Sequence, residues 1–388
     1  MAESVSILPR IEIHDDPAGV IDAWAELEAI APASVYQTRR WLLPWIETVC
    51  PAAGIRPLLI LTRDPSSGAP QMLLPFGIQT AGGLRLAQFL GGRDSNANLG
   101  LYRPGSEPPR NILVAILMQV AQASAFKPDA YVLANQPLSW EGRPNPFAAL
   151  SRQDSPSFCY STALTADFEA LAKERLSADA RKKLRGKARK LEEQGPVAYH
   201  KATTAEEIET TIDAYLAQKR ERFAQMNITS DMRNDVALAY FRRSCLPRDG
   251  EVPAIELHTL AMGTRIIAIY GGGIHRGRFH GMINSFDMDP MIARFSPGDL
   301  LLQRLIEAKC QEGLTRFDLG IGEGRYKNTW CNEAEPLFDT LIGQSGAGKA
   351  FVMMEKTRRR AKRLIKQSTW AWPMAKRLRA RLSFLRRN

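Results

Sequence analysis

The sequence is poor in the residues that build metal sites, disulfide frameworks and membrane spans. Its 388 residues include five cysteines. These are Cys50, Cys159, Cys245, Cys310 and Cys331, scattered and in no CxxC pair, which excludes a zinc or disulfide framework and fits a reducing cytoplasm. Histidine is equally scarce, at five. His258, His275 and His280 fall in strand-like stretches and no two form an HxxxH pair, so no metal is expected. No window of about 20 residues is free of charge, which argues against a spanning helix. The first residues, MAESVSILPRIEIHDD, lack the basic start and apolar core of a secretory leader. Apolar residues make up 45% and charged residues 24%, so a collagen-like or wholly disordered chain is excluded too.

Acidic residues are missing from one place in particular. Residues 355–388 hold 13 Lys/Arg and one acid, Glu355, a net of +12 against +11 for the whole chain, so the remainder carries −1. A neutral body with one cationic appendage argues against a broadly basic nucleic-acid-binding surface.

The length suits two domains of roughly 150–200 residues. Hydrophobic periodicity gives the first half a strand near 10–14, helices near 17–30 and 38–49, and strands near 57–63, 70–78 and 84–90. A helix near 109–124 follows, with Ile112, Ala115, Ile116 and Val120 on one face and Pro108-Pro109 at its start, and then a strand near 130–134. The second half repeats that order: a strand near 196–201, helices near 204–225 and 232–246, and strands near 254–261, 265–273 and 277–286. A helix near 298–312 and strands near 315–319 and 337–343 complete it, with Gly263-Thr264 as a hairpin turn and Gly313 as a helix stop. Two β-α-α-β-β-β-α-β passes suggest a duplicated α/β fold.

Between the halves, Leu176, Ala180, Leu184, Ala188 and Leu191 form one helical stripe, with Ser177 as N-cap. Its other faces carry Arg181, Lys182, Lys183, Arg185, Lys187, Arg189 and Lys190. Two readings stand for this helix: a solvated face, or a face that meets phosphate.

Two stretches carry candidate chemistry. In the first, Arg294-Phe-Ser-Pro-Gly-Asp-Leu-Leu-Leu302, a turn opens an amphipathic helix whose Leu301, Leu302, Leu305 and Ile306 face one way. Unpaired amides at a helix N-terminus can hold phosphate, and Gly298 lets a ligand approach the backbone. In the second, Arg316 to Trp330, a short strand runs into Gly320, Gly322 and Gly324 and then Arg325, Tyr326, Lys327 and Trp330. This GxGxG run lacks the dinucleotide spacing and the long helix behind it, which excludes a Rossmann site. Its glycines either swing polar groups into a cleft or form a tight loop that packs Trp330.

In combination, Ser285-Phe-Asp287, Phe295-Ser-Pro-Gly298, Phe317-Asp-Leu-Gly320 and Tyr326-Lys-x-x-Trp330 resemble the Fem-like branch of the GNAT acyltransferases. Leu90-Gly-Gly-Arg-Asp-Ser95 and Arg189-Lys-Leu-Glu-Glu-Gln-Gly195 are similar to that family as well. Such proteins accompany bacterial cellulose, capsule and holdfast polysaccharide genes. The resemblance covers about residues 10–350. It implies tandem GNAT domains, each a mixed, mostly antiparallel sheet flanked by helices: a degenerate first domain over 1–165, a catalytic one over 166–350, and a basic amphipathic tail over 351–388.

It further implies direct acyl transfer from acetyl-CoA or another acyl-CoA, with no acyl-enzyme and no metal. The acceptor would be an amino sugar of an exopolysaccharide or of its lipid-linked precursor. Because Arg294-x-x-x-Gly298 departs from the family's usual pyrophosphate-loop spacing, an aminoacyl-tRNA donor, as in a Fem-type ligase, stays open, as does a non-catalytic scaffold. The expected roles are a base at Asp287 or Glu323, charge stabilisation by Lys327 beside Tyr326, and donor phosphate held by Arg294 and the backbone at Ser296, Gly298 and Asp299.

In the tail, Lys/Arg-rich 356–366 precedes Trp370 and Trp372, and Met374, Leu378, Leu382 and Leu385 recur at helical spacing. That pattern suits peripheral attachment to an anionic inner membrane. Arg359 and Arg363 near Trp370 also offer guanidinium and stacking groups for cyclic di-GMP.

Overall fold

A computed structural model of the chain describes residues 9–123, 126–225, 235–248, 250–322 and 324–367. The chain forms two units. Of the described residues, one is built from those up to Ser157 and again from Pro336 to Gln367; the other is Phe158–Glu335.

The first unit opens with β1 (Arg10–His14), α1 (Ile21–Ile30) and α2 (Arg39–Ala53), then β2 (Ile55–Arg63), β3 (Pro70–Ala81), β4 (Leu84–Phe89) and the short β5 (Leu101–Tyr102). Helix α3 (Arg110–Ala123), β6 (Ala130–Pro137) and a small hairpin, β7 (Ser139–Trp140) and β8 (Arg143–Pro144), follow. Strand β9 (Arg152–Ala163) carries the chain into the second unit, where α4 (Phe168–Arg175) and α5 (Ala178–Glu192) precede β10 (Val197–Lys201). Next come α6 (Ala205–Gln225), α7 (Asp235–Cys245), β11 (Glu256–Met262), β12 (Arg265–His275) and β13 (Arg278–Phe286). A short α8 (Pro290–Ala293), α9 (Pro297–Gln311), β14 (Arg316–Ile321) and α10 (Arg325–Trp330) complete it. Strand β15 (Glu333–Gly343) returns the chain to the first unit, which ends on α11 (Gly346–Gln367).

In the first unit β1, β2, β3 and β4 form an antiparallel meander. β4 then pairs in parallel with β6, and β6 pairs antiparallel with β15. In the second, β10, β11, β12 and β13 form the meander, β13 pairs in parallel with β14, and β14 pairs antiparallel with β9. A parallel pair requires a crossover, and α3 and α9 supply the two. The duplicated order expected from the sequence is therefore present, as mostly antiparallel sheets flanked by helices. The sequence boundary at 165/166 missed one feature. The strand completing the first sheet comes from beyond the second unit, and the second half of β9, which opens that unit, pairs into the second sheet.

Alternation explains both cores. Leu58 and Ile60 of β2 and Met72, Leu74 and Phe76 of β3 face Leu113, Ile116, Leu117 and Val120 of α3. The second core sets Leu301, Leu302, Leu305 and Ile306 of α9 against Tyr270, Phe279 and Phe317 of the sheet. Each such side chain contributes roughly 1.5–3 kcal/mol by leaving water. The α5 stripe joins this core: Leu176 and Leu191 are buried and Ala180, Leu184 and Ala188 pack beside them. Trp330 is buried as well and stacks on Phe168 at 6.3 Å, so the loop that positions Trp330 does so for packing.

The tail does not begin as an appendage at 351. Residue 351 lies inside α11, whose Phe351 and Val352 pack with Leu86, Ala130, Val132 and Leu341. Arg359, expected to meet a dinucleotide, is instead held by Asp339 at 2.6 Å and Glu355 at 2.7 Å, and Arg363 pairs with Asp154. Trp370 and Trp372 lie outside the described residues. Among those described, no helix is long and apolar enough to cross a membrane.

Candidate active site

Strands β13 and β14 run side by side for three residue pairs only, Arg278 with Arg316, Phe279 with Phe317 and His280 with Asp318. Beyond these the two strands part. Two glycines on β14 and just after it help them do so: Gly320 at φ 74° and Gly322 at φ 92° take left-handed conformations that a side chain would strain. The Gly320 amide then turns back to donate to the Asp318 carboxylate at 2.6 Å. Of the two readings the sequence left open for this glycine run, the packing of Trp330 is met, and the run also turns Arg325 and Tyr326 toward a cavity.

Beside the end of β13 lies a cavity of about 250 Å³, with Ile269 and Tyr270 of β12 in its wall. Asn284, Ser285 and Phe286 of β13 line one side, and Arg325 and Tyr326 of α10 another. Ser296, Gly298, Asp299 and Leu302 close it at the start of α9, and Arg222 of α6 reaches in from its own helix. A larger hollow of about 560 Å³ lies between α5 and α9, lined by apolar side chains such as Leu184, Leu191 and Leu260 with Arg185 and Arg304 among them. Both cavities carry a phenol and two guanidinium groups, Tyr199 with Arg185 and Arg304 in the larger and Tyr326 with Arg222 and Arg325 in the smaller; the smaller one adds the start of α9.

The start of α9 departs from an ordinary cap. Ser296 sits at φ 55°, ψ 57°, a left-handed conformation that costs a non-glycine residue about 1–2 kcal/mol. Its hydroxyl makes no capping bond; it accepts from Lys187 Nζ of the basic helix α5 at 2.6 Å. Its carbonyl takes the amides of both Asp299, at 3.0 Å, and Leu300, at 3.2 Å, while its own amide donates to Ala293. Of the three amides expected to hold phosphate, those of Ser296 and Asp299 are therefore already committed. The Gly298 amide has no acceptor among the described residues. One amide, the helix dipole and the nearby cations of Arg222, Arg325 and Lys187 make the anion-attracting end of this cavity.

The expected catalytic residues separate. Tyr326 lines the cavity, with its hydroxyl 3.5 Å from Asn284 Nδ2, and burial raises its pKa, so the phenol stays protonated. Lys327, one residue on, turns away from it: its buried ammonium donates to the carbonyls of Gly320 at 3.1 Å and Ile321 at 2.9 Å. Burial lowers its pKa, against the opposing charge of the Asp318 carboxylate. That lysine fastens the turn at the end of β14.

Asp287 lies at the end of β13 but does not line the cavity. Its carboxylate accepts from Arg265 Nε at 2.7 Å and from the Asp289 amide at 2.9 Å, while Asp289 caps α8. The structure thus gives Asp287 the work of a turn residue. Arg294 is exposed with its guanidinium 4.7 Å from the Phe295 ring centroid, and it too is outside the cavity lining. Glu323 lies outside the described residues.

Asp299 is the one carboxylate in the lining among the described residues, and it faces Arg325 at 3.8 Å. Sequence reasoning missed Arg222 and Asn284. Arg222 had a signal of sorts: it lies four residues after Gln218, whose Oε1 accepts from Ser285 Oγ at 2.7 Å, so one face of α6 looks at the end of β13. Among the described residues no cluster of His, Cys, Asp and Glu could hold a metal ion.

Residues 178–328 match a family model described as an acetyltransferase (GNAT) domain. No curated protein matches the chain. Among solved structures, FemX is 10% identical with a TM-score of 0.59, covering 88% of this chain and 99% of its own. A protein of unknown function from Bacteroides thetaiotaomicron is 11% identical with a TM-score of 0.52, covering 86% and 100%. The C-terminal domain of a protein described as a lysylphosphatidylglycerol synthetase from Agrobacterium fabrum is 12% identical with a TM-score of 0.50, covering 88% and 96%. At these identities the likeness is one of fold. The cavity lies within the matched segment, and the chain that encloses it has the fold of FemX with a GNAT-type domain over residues 178–328.

Proposed function

We propose that the second unit is an acyltransferase that passes an acyl group from a coenzyme A thioester to an amine, with the thioester arm entering beside the end of β13. The observation that carries this is the cavity itself. β13 leaves its parallel partner after three pairs, and the end of β13 lines a space closed by a helix N-terminus whose Gly298 amide has no acceptor among the described residues. The apolar part of the lining, Ile269, Phe286, Ala293 and Leu302, suits a pantetheine arm, and the cations at the start of α9 suit its diphosphate. The acceptor we propose, by the sequence resemblance alone, is the amine of an amino sugar in an exopolysaccharide precursor.

In direct transfer the neutral amine attacks the thioester carbonyl, the carbon–sulfur bond breaks, the departing thiolate takes a proton from a general acid, and the surplus proton on the nitrogen passes, directly or through water, back to that acid. Tyr326, whose phenol is kept protonated by burial, is the proton donor in this scheme. Tyr326→Phe is expected to lower kcat about 100-fold while leaving KM for the thioester within a few-fold, since the ring that shapes the slot remains. Equal kcat values in steady-state assays would remove that role.

The basic helix α5 favours a second reading, a polyanionic aminoacyl-tRNA donor, because Lys187 touches the residue that caps α9. Calorimetric titration of the purified protein with acetyl-CoA and separately with charged tRNA decides between them. Micromolar binding and turnover of the thioester support the first reading, binding of charged tRNA alone supports the second, and silence in both arms removes both.

A further inference from the structure

We infer that the outward face of α11 is a seat for an anionic lipid bilayer. This goes beyond the acyl-transfer reading and stands independently of it. Of the eight large apolar side chains exposed among the described residues, four lie on this one helix: Met353 at 72%, Met354 at 62%, Leu364 at 72% and Ile365 at 44%. At 100° per residue these four, with Ala361 and Thr357 between them, span an arc of about 120°. Cations bound the arc on both sides, Lys356 and Arg360 along one edge and Arg358 and Lys362 along the other. Arg360 and Lys362 are exposed and make no ion pair among the described residues. An apolar strip between two cationic rails is the layout of a helix lying in the headgroup plane, with its apolar arc sunk among acyl chains and its cations at the phosphates.

The helix cannot roll to hide that strip. Its opposite face is pinned by Val352 in an apolar cluster and by Glu355 and Arg359, buried with Asp339 in one ion-pair network. Lys356 reaches the Ser151 hydroxyl at 3.3 Å and Arg363 pairs with Asp154, which fixes the rotation further. Charge complementarity chooses the occupant. A second protein copy would bring its own cations against these, whereas an anionic leaflet neutralises them. The sequence that follows, with Trp370, Trp372 and six more Lys/Arg, has the same chemistry. Relative to the sequence expectation, the seat moves toward the N-terminal part of the tail, onto residues 353–365.

The test is co-sedimentation of the full chain with phosphatidylcholine vesicles and with vesicles containing phosphatidylglycerol. The full chain should partition at least about tenfold more strongly onto the anionic vesicles and release at high salt. Met354→Glu with Leu364→Glu should lower that partition about tenfold or more, and Arg360→Gln with Lys362→Gln should lower it similarly. These positions are exposed, so melting temperatures of the variants should match the parent's. Absence of sedimentation with anionic vesicles overturns the proposal. So does unchanged binding by the Met354/Leu364 variant, which would make the contact a plain polyanion attraction or one made by other residues. A lipid-free dimer that the same variant dissociates would assign the face to a second copy and overturn it too.

Discussion

Gly298→Leu weakens thioester binding about 100-fold without unfolding the protein. Gly298 is the second residue of α9, and its amide is the one left without an acceptor where the cavity meets the helix. A Cβ built there would sit 3.5 Å from Phe286 Cδ1, an ordinary contact, so the fold accepts a side chain at this position. The space a leucine would fill is the cavity, since Gly298 and Phe286 both line it. It would shield the free amide and push the ligand's phosphate away from Arg222 and Arg325. Losing two charge-assisted hydrogen bonds at about 1.5 kcal/mol each weakens binding about 100-fold. Gly298→Ala, with one methyl, should cost less than a tenth of that effect. The measurement is calorimetric titration with acetyl-CoA, with a thermal melt as the folding control. Undiminished binding by a folded leucine variant would place the thioester elsewhere.

Most elements were legible because each is written in local periodicity. The α9 stripe Leu301, Leu302, Leu305, Ile306 gave both the helix and its buried face, and Gly313, just beyond its end at φ 76°, gave its stop. Strands β11 to β13 stood out as apolar alternation broken by Gly263-Thr264. What local patterning does not encode is partnership. Nothing in 333–343 announces that β15 joins the sheet of the first unit, because pairing depends on residues 200 positions away, such as Leu341 beside Val132. Strand β9 was missed for a related reason. Its segment, RQDSPSFCYSTA, contains a proline and four serine or threonine residues, a composition that reads as loop until a sheet edge claims it.

The site was legible in its chain segments and not in its side-chain assignments. Ser285 to Gly298 and Gly320 to Trp330 do converge on one cavity, as their unusual composition suggested. Which side chain faces the cavity is a matter of one residue of register: Tyr326 does, and Lys327 is turned back onto carbonyls. The carboxylate of Asp287 was a natural base on paper because its cross-strand neighbour Arg265 cannot be seen from position 287. The same distance hides Lys187, 109 residues before the hydroxyl it meets.

Glu256→Ala should unfold the second unit at a markedly lower temperature. Glu256 begins β11 and holds three partners: Lys309 Nζ at 2.5 Å, Lys201 Nζ at 2.5 Å and His258 Nε2 at 2.9 Å. Lys309 and His258 are both wholly buried, and His258 Nδ1 lies 2.8 Å from the Tyr199 hydroxyl. The network joins the C-terminal half of α9 to β10 and β11, so removing Glu256 strands Lys309 in the core with Glu312 alone. Breaking a buried pair from one side costs about 3–5 kcal/mol, or about 10 °C for a unit of this size. Acidification supplies the second arm. Burial pushes the Glu256 pKa up, but the His258 hydrogen bond and the charge of Lys309 overcome it and hold the carboxyl well below its ordinary 4.5. A carboxyl depressed by folding stabilises the native state above its unfolded pKa and loses that contribution as pH falls. The stability gap between the parent and Glu256→Gln should therefore be constant above pH ~6 and shrink by about 1 kcal/mol by pH ~3.5. Denaturant melts at the two pH values read it directly. A gap that stays constant would mean that folding leaves the Glu256 carboxyl unshifted, and that Lys309 owes its place in the core to Glu312.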